Sequence, residues 1–262
     1  DGKRVVSGSY DQLVKIWDAA TGQLVRTLTG HSASVVSLTF SPDGKRVVSG
    51  SWDKTVKIWD ADTGAQVLTL TGDAGMVNSV ACSPDGKFIV SGSDGKLVKI
   101  WDAATGAEIH SLGEHNGQGH CLCELDEDEN VEEDEDGEKI IDPECPVTGH
   151  SGMVKRVVFS DDGKLVISGG KDNTVRVWDV ASGRQVRQLA GNLFAMVEGP
   201  SDEHKTHRHV LTARGDTLLI YKVAKGQPHA EEGASGAPMA CFKAPQCIKS
   251  LRCYGSAICV GC

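Results

Sequence analysis

Histidine, serine and aspartate recur together in this chain at a fixed spacing, and these three residue types can form a hydrolytic triad. Two complete sets, each ending on a tryptophan, are His31, Ser49, Asp53 and Trp59, and then His150, Ser168, Asp172 and Trp178. A triad is recognised by its geometry around one nucleophile, and no nucleophile-elbow motif accompanies either set. Because the set recurs beside a tryptophan, we predict a structural role for it and no catalytic residue in the chain.

Cofactor motifs are also absent from the sequence. We find no Walker A loop, no GxGxxG at a strand–helix junction and no HExxH. Each of these motifs binds a phosphate, a dinucleotide or a metal ion in the corresponding class of enzyme. We therefore expect a protein that is not an enzyme and that has no cofactor.

The acidic run 126–138 could suggest calcium binding, because its first acidic residues have the spacing of EF-hand ligands. Val131, however, stands where that loop needs a glycine, and Gly137 stands where it needs a bidentate glutamate. We predict no metal site there.

The cysteines do not indicate a zinc site or a disulfide framework. Cys259 and Cys262 have zinc-ligand spacing, but a second well-spaced pair is missing. The total of nine is odd, and a large repeat core needs no covalent cross-links. The chain is expected to be intracellular and reduced, in the cytoplasm rather than the nucleus.

The tryptophans of the sets belong to an internal repeat, which must position them. Trp17, Trp59 and Trp101 lie at intervals of 42 residues, each before an aspartate, and Trp178 is a fourth copy. Tyr221 takes the equivalent place in a fifth. A single repeat of this length cannot bury its own apolar face, so the copies must stack on one another.

One repeat unit, residues 29–72, contains four short runs rich in β-branched residues: VVSLTF, RVVSGS, TVKIWD and QVLTL. Turn-forming clusters separate them: SPDGK, SWDK and DADTG. This pattern predicts four antiparallel strands per unit and no long helix. Repetition of such sheets around an axis describes the blades of an all-β propeller, which protects strand edges.

The motifs Gly-His, SPDG, SGS-x-D and IWD, in that order, resemble those of the WD-repeat β-propeller family. They cover nearly the whole chain except the segment around residues 113–148. The resemblance implies four-stranded blades that form part of a seven-bladed ring. It also implies that the tryptophan, serine, histidine and aspartate of each set form one hydrogen-bonded structural network per blade.

Two copies depart from this pattern. Asp73 replaces the histidine of the third copy, and Gly95 stands at its expected aspartate. The fifth copy has Asn192 for histidine and Tyr221 for tryptophan. A buried polar group without its partner costs roughly 1–3 kcal/mol, so we expect these two blades to be the softer ones.

The repeat divides the chain into three parts. Residues 1–112 are blades one to three, the first without its inner strand; 150–262 are further blades, the last incomplete. Residues 113–149 are either an acidic loop or a degenerate blade. We expect a fragment of a larger multidomain protein; alternatively, the strand at 247–252 pairs with the N-terminal strands and closes the ring.

The net charge of −9 is concentrated in one place. The run 126–138 holds ten acidic residues, which leaves 27 basic and 26 acidic residues elsewhere. A nearly neutral body has no basic footprint for nucleic acid, and no apolar run is long enough to span a membrane. The acidic run itself could recruit a basic partner.

Function is therefore expected at surfaces where the copies differ. The residue before the turn aspartate is Tyr10 or Trp52 in the first two copies and Lys171 in the fourth, and Lys54 follows the aspartate in the second. Large aromatics on exposed turns are enriched at binding hot spots. We predict these four residues to be partner contacts of an interaction scaffold or a ligand-sensing propeller that binds a protein or peptide.

Two other functions remain open. One is a substrate receptor of a cullin-type ubiquitin ligase, a class within the family that carries a basic residue two positions after the WD aspartate. Here those positions hold Ala20, Asp62, Ala104 and Ala181, which argues against that class. The other is an accessory domain of an enzyme whose catalytic part lies outside this sequence.

Overall fold

The computed structural model describes residues 2–113 and 149–191, together with the backbone of six strands between 193 and 261. Every regular element in this described part is a β-strand, and the strands form six antiparallel sheets. Four of the sheets have four strands each. The prediction of an all-β chain with four-stranded antiparallel blades is confirmed.

The sheets follow one another along the chain as blades one to six. Blade one contains β1 (Arg4–Gly8), β2 (Val14–Asp18) and β3 (Leu24–Leu28). Blade two contains β4 (Val35–Phe40), β5 (Arg46–Ser51), β6 (Val56–Asp60) and β7 (Gln66–Leu70). Blade three contains β8 (Val77–Cys82), β9 (Phe88–Ser93), β10 (Val98–Asp102) and β11 (Glu108–Leu112).

Blade four contains β12 (Val154–Phe159), β13 (Leu165–Gly170), β14 (Thr174–Asp179) and β15 (Gln185–Ala190). Blade five contains β16 (Leu193–Glu198), β17 (His207–Arg214), β18 (Thr217–Ala224) and β19 (Ala240–Lys243). Blade six contains β20 (Ser250–Tyr254) and β21 (Ala257–Gly261). In each blade the order in space is the order in the chain, as short hairpin connections require.

The repeated turn that joins β1 to β2, β5 to β6, β9 to β10 and β13 to β14 sets the end of each hairpin. Its last residue has a positive φ in blades one to four: Gln12, Lys54, Lys96 and Asn173, at 59–71°. A three-residue hairpin loop needs one residue in this left-handed region, which normally favours glycine or asparagine. The turn therefore places the two residues that precede its left-handed residue at the tip of the hairpin. Tyr10 and Trp52 are among these tip residues.

Neighbouring blades pack through a glycine in the second strand of each. A Cβ built on Gly50 would lie 2.7 Å from Val77 Cγ1, and one on Gly92 would lie 2.6 Å from Val154 Cγ1. Only a residue without a side chain lets the inner strand of the next blade approach so closely. The glycine of the SGS motif is thus a packing requirement between blades.

A serine hydroxyl joins the inner strands of consecutive blades. Ser37 Oγ accepts a hydrogen bond from Val80 N, and Ser79 Oγ accepts one from Val157 N. The second bond connects blade three directly to blade four, in the same way as the first connects two to three. Residues 114–148 lie outside the described residues, so the choice between an acidic loop and a degenerate blade stays a prediction.

In the part of the chain that the structure describes, the first and last blades have fewer strands than the blades between them. β1 pairs only with β2 among the described residues, whereas β5, its counterpart in blade two, pairs on both sides. β20 and β21 pair with each other as a two-stranded sheet, and β20 lies beside β16. The total of seven blades, the division at 113–149 and closure by 247–252 remain predictions.

Candidate interaction surface

A continuous chain of hydrogen bonds runs through blade two from its core to its outer turn. Trp59 Nε1 donates to Ser49 Oγ at 2.8 Å, and Ser49 Oγ lies 2.8 Å from His31 Nε2. His31 Nδ1 lies 2.7 Å from Asp53 Oδ2, and Thr55 Oγ1 donates to the other carboxylate oxygen. The buried strand β5 supplies the serine, so the network connects the turn aspartate to the buried indole.

The protonation states follow from this order of donors and acceptors. Because the Asp53 carboxylate can only accept, a neutral His31 carries its proton on Nδ1 and accepts at Nε2, so the serine O–H donates to Nε2 while the serine oxygen accepts the indole N–H. The Nδ1–H of a neutral imidazole then donates to Asp53. Burial lowers the pKa of His31, although the hydrogen bond to Asp53 opposes that shift. Burial acts to raise the pKa of Asp53, but hydrogen bonds from Thr55 and His31 outweigh it and lower that pKa.

Blade four has the same arrangement. Trp178 Nε1 donates to Ser168 Oγ at 2.8 Å, which lies 2.8 Å from His150 Nε2, and His150 Nδ1 lies 2.9 Å from Asp172 Oδ2. Burial also lowers the pKa of His150. Both histidine side chains have no exposed surface, so no substrate could reach the serine through them. The geometry suits a stabilising network and leaves no open site for acyl transfer.

Blade three replaces this network with a shorter one. Trp101 Nε1 donates to Ser91 Oγ, and Ser91 Oγ donates directly to Asp73 Oδ2 at 3.0 Å. Asp73 Oδ1 is buried and makes no hydrogen bond with the described residues. Burial raises the pKa of Asp73 to about 6, opposed by the hydrogen bond from Ser91 and by the charge of Lys99. The carboxylate therefore takes the place of the histidine beside the serine, and Oδ1 has no hydrogen-bond partner in the described residues.

The turns that carry the variable residues lie together at one end of the blades. We call this end the upper rim: the hairpin turns 9–12, 51–54, 93–96 and 170–173 with the loops 31–34, 73–76 and 150–153. Backbone hydrogen bonds join turn to loop within a blade, from Trp52 N to Ser34 O and from Lys171 N to Met153 O. Val35 N donates to Ser9 O, which joins blade two to blade one.

Tyr10 and Trp52 meet on the upper rim. Their ring centroids lie 5.6 Å apart with an interplanar angle of 69°, an edge-to-face contact between adjacent blades. Tyr10 is 76% exposed and Trp52 is half-buried. This geometry is favourable for an aromatic pair, and it leaves much of the phenol ring open to a partner. The structure thus brings two of the four predicted contact residues together.

Two further exposed apolar residues lie on blades two and three, and the sequence analysis missed them. Val36 is 39% exposed and follows Val35, which is bonded to the Ser9 turn. Met76 is 42% exposed and precedes Val77, which packs on Gly50. The sequence itself indicates that Val36 is exposed, since one of two adjacent valines in a strand must face away from the core. Tyr10 and Trp52 are called the aromatic pair below.

The other two predicted contacts lie apart from the aromatic pair. Lys54 is exposed at the end of the blade-two turn, and Lys171 is exposed on blade four. Between them, blade three places Asp94 at the position of Trp52. Asp94 Oδ1 accepts a hydrogen bond from Asn78 at 2.5 Å and lies 3.6 Å from Lys155 Nζ.

Other chemical groups in the described residues give no sign of catalysis. Cys82 lines a groove of about 670 Å³ between blades two and three, at the end opposite the upper rim. Burial raises the pKa of its thiol to about 12, which keeps it protonated and a poor nucleophile. No group of three metal-ligating side chains occurs in the described ranges. No helix there is long and apolar enough to cross a membrane.

The family model described as "WD domain, G-beta repeat" matches residues 1–18, 22–60, 64–102 and 143–179, about half of the chain. Curated relatives match over shorter stretches. The small ribosomal subunit protein RACK1z of Arabidopsis thaliana is 46% identical over 46 residues, 18% of this chain and 14% of that protein. WD repeat protein iqw1 of Schizosaccharomyces pombe is 32% identical over 81 residues, 30% of this chain and 10% of that protein.

The ribosome biogenesis protein BOP1 homolog of Oryza sativa is 32% identical over 91 residues, 34% of this chain and 13% of that protein. The matched stretches thus cover less than a fifth of each of these relatives. Such short matches do not establish what the whole protein does. The repeat motifs, the four-stranded blades and the family match agree, and the chain belongs to the WD-repeat family of β-propellers.

Proposed function

We propose that this chain is a non-catalytic interaction scaffold or ligand-sensing propeller that binds a protein or peptide across its upper rim. The observation that carries the proposal is the exposed edge-to-face pair of Tyr10 and Trp52 on two adjacent blades. Tyrosine and tryptophan provide large contact areas at low entropic cost and are enriched at binding hot spots. Members of the WD-repeat family typically act as interaction scaffolds, which supports the same reading.

The structural roles proposed for the buried networks support a rigid platform. His31, Asp53 and Trp59 bind one another inside blade two, so they leave the turn fixed and its tip residues free to contact a partner. Preorganised contact residues lose little entropy on binding. The turn that presents Trp52 is therefore already in place before a partner arrives.

A double substitution tests this proposal. Tyr10→Ala with Trp52→Ala should abolish capture of a partner in pull-down experiments, because the two rings provide most of the exposed apolar area on the turns. The melting temperature should change little, since Tyr10 is largely exposed and Trp52 is only half-buried. The matched control is Leu24→Ala with Val25→Ala, which removes two exposed apolar side chains from the outer strand β3, away from the upper rim. Unchanged capture, or a large loss of stability with the rings removed, would sink the proposal.

The acidic run offers a second candidate contact. The run 126–138 lies outside the described residues, and we propose it as a site for a basic partner on its charge alone. A pull-down of the intact chain against the chain lacking 126–138 tests this. A basic partner retained by both chains would contradict it.

We also propose an intracellular, cytoplasmic location. The support is the reduced-cysteine pattern and the printed names of relatives, among them a small ribosomal subunit protein and a ribosome biogenesis protein. Imaging of the tagged protein would decide the compartment. The ubiquitin-ligase alternative is not favoured, because Asp62, at a position where that class has a basic residue, instead accepts a hydrogen bond from Arg4.

A further inference from the structure

At the end opposite the upper rim, equivalent grooves lie between consecutive blades. The groove between blades one and two has a volume of about 390 Å³, and Arg4 and Asp62 are among its lining residues. The groove between blades two and three is lined by the residues 42 positions later, Arg46 and Ala104, and its volume is about 670 Å³. Because the repeat places equivalent positions in both grooves, the side chains that differ between the copies account for the difference in volume.

A phenylalanine and an arginine fill the junction between blades one and two. The guanidinium carbon of Arg4 lies 5.5 Å from the centroid of the Phe40 ring, within the range of a cation–π contact. Arg4 Nη1 also donates to Asp62 Oδ1 at 2.9 Å, and Nη2 donates to Gly44 O at 2.6 Å. The ring comes from the inner strand β4, and an arginine of the preceding blade covers it.

The junction between blades two and three lacks this ring. Cys82 of the inner strand β8 stands at the position of Phe40, and Ala104 stands where blade two has the acidic partner of the arginine. Arg46 instead donates from Nη1 to Ala103 O at 2.7 Å. A thiol occupies far less space than a phenyl ring, so the space that Phe40 fills at the first junction stays open here.

A phenylalanine again fills the junction between blades three and four. Phe159 of the inner strand β12 stands at the position of Cys82, is 8% exposed and belongs to one core cluster with Ile100 of blade three. Among blades two to four, whose side chains the structure describes, only blade three therefore has no inner-strand phenylalanine at this position. The opening is specific to one junction.

The open groove offers an apolar surface to a ligand. Cys82 and Phe88 are half-buried in it, and burial keeps the thiol protonated, so it behaves as a small apolar side chain. At the mouth, Oδ1 of Asp43 and Oδ1 of Asp60 each accept hydrogen bonds from hydroxyl and amide groups of their own turns. The larger apolar residues that line the groove are Pro42, Val48, Ile58, Cys82, Phe88 and Ile89.

We propose that this groove binds a phenylalanine side chain from a peptide segment of a partner protein, in the space that Phe40 and Phe159 fill at the neighbouring junctions. Arg46 lines the groove at the position of Arg4, so its guanidinium can cover the inserted ring as Arg4 covers Phe40. An aromatic anchor in a preformed pocket is the usual centre of a binding hot spot. The site lies at the other end of the blades from the aromatic pair and does not rest on the function proposed for the upper rim.

Selection from a random-peptide library on the full chain supplies the probe. We expect a class of enriched peptides that contain phenylalanine and bind the groove. Their affinity, measured by fluorescence anisotropy, should fall at least about tenfold when that phenylalanine is replaced by alanine, as for a hot-spot residue. The absence of such a class would overturn the proposal.

The substitution Cys82→Phe locates the site, because it fills the groove from the chain itself. It should weaken binding of these peptides at least about tenfold and leave the melting temperature unchanged, since blades two and four have phenylalanine at this position. The matched control is Cys82→Ser, which leaves the groove open and should bind as the parent does. Equal affinity in Cys82→Phe and the parent, or an equal loss in both variants, would refute the assignment.

A surface variant guards against a change of fold in Cys82→Phe. Ala104→Asp introduces the acidic residue that pairs with the arginine in the narrower groove between blades one and two. It should weaken the phenylalanine peptides severalfold, whereas Ala20→Asp, the same change at the equivalent position of blade one, should not. Peptides that bind Ala104→Asp and Cys82→Phe as tightly as the parent would contradict the proposal.

The double variant Tyr10→Ala with Trp52→Ala separates this site from the upper rim. The phenylalanine peptides should bind it as they bind the parent, because the aromatic pair lies at the other end of the blades. Peptides that lose binding to the double variant and not to Cys82→Phe would belong to the upper rim. That result would support the proposed function and overturn the groove as their site.

Discussion

At the scale of single residues, the replacement of histidine by Asp73 changes the hydrogen bonds of the buried network in blade three. In blades two and four a neutral imidazole separates the serine from the turn aspartate, and both oxygens of that aspartate have donors. In blade three the carboxylate meets the serine directly and leaves one oxygen unpaired in the interior. A buried carboxylate with an oxygen that accepts no hydrogen bond is costly to keep charged.

The substitution Asp73→Asn should therefore stabilise the chain at neutral pH. The pKa of Asp73 rises from 3.8 to about 6 on folding, so the native state binds the proton more tightly than the unfolded state. Stability from this group is present below pH 3.8 and is lost as the pH rises to about 6. The loss is about 3 kcal/mol, from about 1.4 kcal/mol for each pKa unit. Denaturant unfolding of parent and variant at several pH values measures it.

Asp53→Asn is the matched control, and its effect on the free energy of unfolding should have the opposite sign. The pKa of Asp53 is lowered on folding, so its contribution is present above its unfolded pKa and is lost as the pH falls. The variant should lower the free energy of unfolding at neutral pH. A pH-independent difference between Asp73→Asn and the parent would show that the Asp73 carboxylate is not desolvated in the native state.

At the scale of strands, two identical sequences have different environments. β1 and β5 both read RVVSG, yet Val5 is 52% exposed and Val47, its equivalent, is fully buried. The difference is the facing blade, because Val47 packs in one cluster with Val14, Ile16 and Leu28 of blade one, and no blade in the described residues covers Val5 in this way. Local propensity is thus the same, and the neighbouring blade decides burial.

Amide hydrogen exchange should distinguish these two strands. Every second amide of β1 faces its unpaired edge, so it should exchange much faster than the matching amide of β5. NMR-detected exchange resolves the two strands because different residues, Tyr10 and Trp52, follow them. Equal protection would mean that another strand covers the edge of β1, as the predicted closure by 247–252 would require.

At the scale of the whole molecule, the blades are held together by contacts that no single repeat contains. The glycine of one blade faces the valines of the next, and a serine of one inner strand caps a backbone amide of the next. The glycine contact occurs at every junction from blade one to blade four. The serine hydrogen bond occurs between blades two and three and between blades three and four. Stability is therefore shared between neighbouring blades, as expected for stacked repeats.

The substitution Gly92→Ala should weaken the junction between blades three and four. A Cβ at this position would lie 2.6 and 2.8 Å from two valine methyl groups, too close without movement of β12. Overpacking of this kind typically costs about 1–3 kcal/mol. The measurement is the free energy of unfolding in denaturant. Gly22→Ala provides the control, because its Cβ meets no atom within 4 Å and only the positive φ is strained.

The sequence by itself determined the parts of this protein that depend on local chemistry. The tryptophan period gave the four-stranded unit, the turn clusters gave the hairpins, and the aromatic residues at Tyr10 and Trp52 stood out as candidates. These features could be predicted because strand alternation and turn preferences act over a few residues. The exposure of Val36 was predictable in the same way, from two adjacent strand valines.

The tertiary structure decided what depends on distance. Only the stacking of blades places Tyr10 against Trp52, and only the folded networks bury the carboxylates of Asp53 and Asp172. Likewise, the unpaired oxygen of Asp73 follows from how its loop packs, not from the replacement alone. A sequence lists charges and rings, but their solvation and mutual contacts are set by residues far apart in the chain.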